Sequence, residues 1–105
     1  MSVLTVTKEN FQQEVMESGV PVLIDFFAVW CGPCNMLSPV IDQLAGEVKG
    51  VKVCKINVDE QPELAAAFQV ASIPTLVLVK NGTILQKVVG VRPKDEVKKM
   101  MEDAL

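Results

Sequence analysis

The sequence predicts an α/β fold in which a mixed central β-sheet carries helices on both faces. Three observations lead there. Strand-like and helix-like segments alternate along the 105 residues in the order β-α-β-α-β-α-β-β-α. Residues 21–28 (PVLIDFFA) are apolar on both parities, as expected of a central strand covered on both faces. Residues 75–80 and 83–89 flank Asn81-Gly82, a pair that favours the positive φ values of a type I′ hairpin turn.

Each element has its own justification. Val3 to Val6 is a short β-prone run. Thr7 can N-cap a helix from about Lys8 to Ser18, with Phe11, Val15 and Met16 at helical spacing and Gly19 closing it. After the strand from Pro21 to Ala28, a second helix runs from about Pro33 to Val48. Its inner stripe is Leu37, Val40, Ile41, Leu44 and Val48. Val51 to Val58 reads as a strand, and Asp59 can cap a short helix holding Pro62 to Phe68. Beyond the hairpin, Pro93 opens an amphipathic helix carrying Val97, Met100, Met101 and Leu105. Two β-α-β units favour parallel strands with right-handed crossovers, and the hairpin adds an antiparallel edge. Strand order is left open. No repeat, low-complexity tract or linker divides residues 1–105, which read as one domain.

Composition removes several functional classes. Half of the chain is hydrophobic and 22% is charged, enough to build a core. Ten basic against thirteen acidic residues give a net charge of −3 without long like-charge blocks, so the electrostatic footprint of a nucleic-acid binder is missing. The absence of histidine excludes an imidazole base and histidine-ligated metal. Three cysteines cannot make a fully paired disulfide framework. Met1-Ser2-Val3-Leu4 lacks the basic-then-apolar pattern of an export signal. The longest apolar stretch, Val20 to Trp30, is interrupted by Asp25 and reaches only about half a membrane span. The expectation is a cytoplasmic protein of a reducing compartment, monomeric and away from membranes.

The chemistry concentrates at Trp30-Cys31-Gly32-Pro33-Cys34, where a buried strand hands over to a helix. Pro33 suits the first helical turn, because its missing N–H would have no helical partner there. Cys31 then faces unpaired N–H groups and the positive end of the helix dipole, which favour a thiolate. A free thiol with pKa about 8.5 is roughly 3% ionised at pH 7. Half-ionising it there takes roughly 2 kcal/mol, within reach of those two effects. Cys34 lies one turn on, with Cβ atoms about 5–6 Å apart before adjustment, so the pair can close a disulfide. So small a ring restrains little of the unfolded chain, which suits turnover rather than stapling. Metal binding is the competing reading. It needs ligands beyond this pair and the distant Cys54, supplied by carboxylates or a partner.

These residues, with Asp25 in the preceding strand, Ile73-Pro74-Thr75 before the hairpin and Gly90 after it, make the chain resemble the thioredoxin family over essentially its whole length. The resemblance implies a five-stranded mixed sheet flanked by four α-helices. It also implies a protein-disulfide reductase with no bound cofactor, re-reduced by NADPH through a flavin-dependent thioredoxin reductase. By position, Cys31 would attack the substrate disulfide and Cys34 would resolve the mixed disulfide. Pro74 would be a cis-proline, and Trp30, Gly32, Pro33, Ile73 and Gly90 would line the docking surface. From the residues alone, a trans Pro74 at a strand start is favoured, since few X–Pro bonds are cis. Two positions depart from the common pattern: Phe27 replaces a frequent second tryptophan, and Asn35 replaces a frequent lysine.

Resolution requires Cys34 to lose a proton. Asp25, the one charge inside its strand, is the candidate base, because burial raises a carboxyl pKa toward neutrality. Lys55 shares parity with Val51 and Val53 and can pair with Asp25, either for catalysis or as a structural ion pair. The resemblance puts this pair beneath Cys34. Cys54 reads as core packing, and Trp30 as a docking residue rather than core. Glu60, Glu63, Glu96 and Glu102 read as solvated faces. Other functional classes stay in play: an exported oxidase or isomerase, a binding module with idle cysteines, and a metal carrier.

Overall fold

The computed structural model describes residues 3–105. Met1 and Ser2, part of the stretch read above for an export signal, lie outside the described residues. Five strands form one sheet: β1 (Leu4–Thr5), β2 (Val22–Phe27), β3 (Lys52–Asn57), β4 (Thr75–Lys80) and β5 (Thr83–Val89), in the spatial order β1-β3-β2-β4-β5. β3 pairs in parallel with both β1 and β2, while β4 pairs antiparallel with β2 and β5. Helices α1 (Gly32–Glu47), α2 (Pro62–Ala67) and α3 (Lys94–Asp103), with a π-helical segment Gln12–Met16, complete the four-helix complement. No helix among the described residues is long and apolar enough to cross a membrane.

The two-sided apolar pattern of β2 has the expected cause. Leu23 packs with Leu37, Ile41 and Leu44 of α1 and with Val97 and Met101 of α3. Val22, Ile24 and Phe26 point the other way, onto Val15, Leu64 and Phe68. By strand alternation Asp25 shares the Leu23 side, beneath α1. That single parity decision puts a carboxyl group under the Cys31–Cys34 turn. The hairpin turn also forms as its dipeptide requires, with Asn81 at φ 53° and Gly82 at φ 75°.

Three local expectations are corrected. The helix expected from Lys8 to Ser18 shrinks to the π-helical segment. Asn10 is responsible: its Oδ1 accepts from the Thr7 N–H at 2.8 Å and its Nδ2 donates to the Thr5 carbonyl at 3.1 Å, drawing the chain into a turn. Asp59 does not cap α2. Gln61 precedes that helix without a side-chain cap, and Asn57 Oδ1 accepts from the N–H groups of Asp59 and Glu60 instead. Leu105 lies past the end of α3 and is exposed rather than inward. Helix α1 also runs through Pro39, which removes one backbone N–H from its ladder without ending it.

Candidate active site

Strand β2 ends at Phe27, and a short turn brings the chain to Cys31, the N-cap of α1 with φ −85° and ψ 112°. Gly32 and Pro33 form the first helical positions, so the orphan N–H groups of the turn point toward Cys31. One of them is used directly: the Cys34 N–H donates to Cys31 Sγ at 3.2 Å. Cys31 and Cys34 are joined as a disulfide with Cα atoms 5.3 Å apart, while Cys54 is free. Its thiol is fully buried on the Ile24–Ile56 side of the sheet, and burial pushes its pKa up to about 12. It packs in the core as expected.

The two bonded cysteines open onto different spaces. Cys31 lines a groove of about 470 Å³ with Trp30, Gly32, Pro33, Val58, Val70, Ala71, Ser72 and Ile73. Its Sγ lies 3.9 Å from the Ile73 carbonyl oxygen. Cys34 lines a separate, smaller cavity of about 130 Å³ with Asp25, Phe27, Val29, Asn35, Ser38 and Lys55. Both residues are buried, yet Cys31 borders an apolar groove and Cys34 borders a cavity that holds a carboxylic acid. This division carries the chemistry.

Asp25 is 5% exposed, and its Oδ1 has no hydrogen-bond partner. Burial drives its pKa up to about 7; Lys55 pulls it partly back, and Asp42 adds a smaller upward push. Asp25 and Lys55 sit opposite each other in the β2–β3 register, yet the expected ion pair does not close. The Lys55 ammonium stands 5.8 Å from the Phe27 ring centroid instead. Its attraction for Asp25 therefore acts through space, and desolvation wins.

The other site residues fall into two groups. Trp30, Gly32, Pro33 and Ile73 meet Cys31 in the groove. Pro74 and Gly90 do not line it: Pro74 is buried one residue behind Ile73, and its carbonyl accepts from the Gly90 N–H at 2.8 Å. The Ile73–Pro74 peptide is cis, against the trans form favoured by the residues alone, and Gly90 has φ 96°, a backbone state in which a side chain is strained. Val58, Val70, Ala71 and Ser72 were not singled out in the sequence. Val58 closes the strand read from Val51, where alternation says nothing of a groove, and Val70, Ala71 and Ser72 come from a connecting segment without periodicity, which carries no local signal of what it faces.

Asp59 was misread as a helix cap. Its Oδ2 accepts from the Trp30 Nε1–H at 2.7 Å, holding an indole that is 69% exposed. Asp59→Ala should free that ring while changing stability by only about 0.5–1.5 kcal/mol. Trp30 is the single tryptophan, so its fluorescence anisotropy reports the ring directly. The expected result is a faster anisotropy decay, and an unchanged decay would show that the hydrogen bond does not orient the ring.

A reversible cysteine pair at a helix N-terminus, between an apolar groove and a buried acid, defines a thiol–disulfide oxidoreductase. A family model described as Thioredoxin matches residues 2–103. The chain is 46% identical over 101 residues to "Thioredoxin 1" of Nostoc sp., covering 95% of this chain and 94% of the relative. It is 45% identical over 106 residues to the thioredoxin of Staphylococcus saprophyticus, covering 100% of both. A solved structure of a mutant thioredoxin from Halobacterium salinarum superposes with a TM-score of 0.91 at 40% identity, covering 98% of this chain and 90% of that one. This chain belongs to the thioredoxin family. Members of the family work through their own disulfide without a prosthetic group, act on disulfide clients and are reduced by thioredoxin reductase.

Proposed function

We propose that the protein is a general protein-disulfide reductase, with residues 1–105 acting as one unit. The Cys31 thiolate attacks one sulfur of a client disulfide, forming a mixed disulfide and releasing the first client thiolate. Cys34 then gives its proton to Asp25 and attacks Cys31 Sγ. That step releases the second client thiolate and leaves the Cys31–Cys34 disulfide. Two electrons pass to the client. Lys55 tunes Asp25 through space, and an Asp25 pKa of about 7 is matched to accepting a proton near neutral pH.

Trp30, Gly32, Pro33 and Ile73 receive the polypeptide around the client disulfide, joined by Val58, Val70, Ala71 and Ser72. Pro74 and Gly90 support the Ile73 backbone from behind. Electrons come from NADPH through thioredoxin reductase, in the cytoplasm, with the protein working as a monomer. The supporting observation is that the two cysteines border different spaces, Cys31 the apolar groove and Cys34 the Asp25 cavity. Insulin disulfide reduction with dithiothreitol, then with NADPH and a thioredoxin reductase, tests the reading. Marked acceleration is expected, and a rate equal to that of dithiothreitol alone overturns it.

A further inference from the structure

Part of the groove lining is a loop, residues 70–73, that follows the end of α2. At that end Gln69 adopts φ 55°, a left-handed state unfavourable for a residue with a side chain. The backbone itself caps the helix: the Phe68, Gln69 and Val70 N–H groups donate to the Leu64, Ala66 and Ala65 carbonyls at 3.1, 3.0 and 2.9 Å. The carbonyls just past the helix, those of Phe68 and Gln69, are taken by a side chain from the sheet. Lys87 of β5 donates from Nζ to the Phe68 carbonyl at 3.0 Å and to the Gln69 carbonyl at 2.7 Å. Lys87 stands opposite Val77, whose side chain packs on the α2 side of the sheet, so its ammonium meets the negative end of the α2 dipole. At the far end of the loop, the buried Thr75 hydroxyl donates to the Ser72 carbonyl at 2.6 Å. Between these ties, Ala71 and Ser72 are exposed at the groove.

We propose that Lys87 is a positioning residue for substrate: it holds the 70–73 wall in place for the polypeptide flanking a client disulfide, and so favours protein disulfides over small ones. This deepens the reading of the groove given above and rests on it. Charge-assisted hydrogen bonds from an ammonium are the strong kind, and the exposed Ala71–Ser72 stretch, held between Val70 and Ile73 that pack on the core, loosens once they are removed. A small disulfide needs only access to the Cys31 sulfur and does not touch the wall.

The test compares wild type, Lys87→Met and Lys87→Arg in insulin reduction, in reduction of a small aromatic disulfide, and in amide hydrogen exchange across residues 69–73. Lys87→Met keeps the stem and removes the donors. It should raise KM for insulin by roughly three- to tenfold with kcat unchanged, leave the small-disulfide rate unchanged, and speed exchange in the loop. Lys87→Arg, which keeps charge and donors, should restore both KM and exchange. Unchanged exchange in Lys87→Met, an unchanged insulin KM, or equal slowing with both substrates overturns the proposal. A wild-type protein that fails to reduce insulin defeats the underlying functional reading, and that result is seen before any variant is compared.

Discussion

Asp25→Asn is expected to stabilise the oxidised protein by up to roughly 4 kcal/mol above pH 8 and to change little at pH 3. The carboxyl pKa rises from its ordinary 3.8 to about 7 on folding, chiefly because burial penalises the anion. Between those values the folded state holds a proton that the unfolded chain has released. The carboxyl group's contribution is therefore most favourable below pH 4 and declines as pH climbs through 7. Asparagine cannot ionise, so the gap between variant and wild type should open across pH 4–7 and then level off. Urea denaturation at a series of pH values measures it, and a gap independent of pH would remove the buried anion as the cause. The same substitution should slow mixed-disulfide resolution while leaving the first attack intact. Stopped-flow traces with both phases unchanged would exclude Asp25 as the base.

Cys34→Ser should lower turnover by on the order of a thousandfold or more, yet it should still form the first covalent bond with a client. In the proposed mechanism Cys31, which lines the groove, is the residue that meets the client, and Cys34, which lines the Asp25 cavity, is the one that resolves. With serine at position 34 nothing displaces the client from Cys31, so a stable mixed disulfide accumulates, visible by intact mass. Cys31→Ser should lose turnover just as completely and trap nothing. Trapping by Cys31→Ser but not by Cys34→Ser would reverse the assigned roles. The double serine variant isolates chemistry from binding: a module with idle cysteines would keep its function in cells, and a reductase would lose it.

Several features of the fold were legible because they depend on neighbours in sequence. Alternation in PVLIDFFA is a property of the strand itself, and it places Asp25 on the Leu23 face before any partner is known. The Cys31 N-cap follows from Gly32-Pro33, and the hairpin from Asn81-Gly82, since both are decided by backbone preferences over two or three residues. The helix expected at Lys8–Ser18 forms only in part, for an equally local reason: the Asn10 amide offers the backbone a competing set of hydrogen bonds at its start. Its spacing of Phe11, Val15 and Met16 was compatible with either outcome.

What the residues determined alone is the redox pair, its place at a helix start and the one acid inside a buried strand; that this acid lies beneath Cys34 was implied by the resemblance. Tertiary structure decided the order β1-β3-β2-β4-β5, the cis state of Pro74, the separation of Lys55 from Asp25, the capture of the Trp30 ring by Asp59, and the groove wall tied back by Lys87. Each of these joins groups far apart in the chain or turns on the packing around one bond. Local propensity carries no information about which distant surfaces meet, whereas burial energy does, and burial is settled only when the whole sheet has closed.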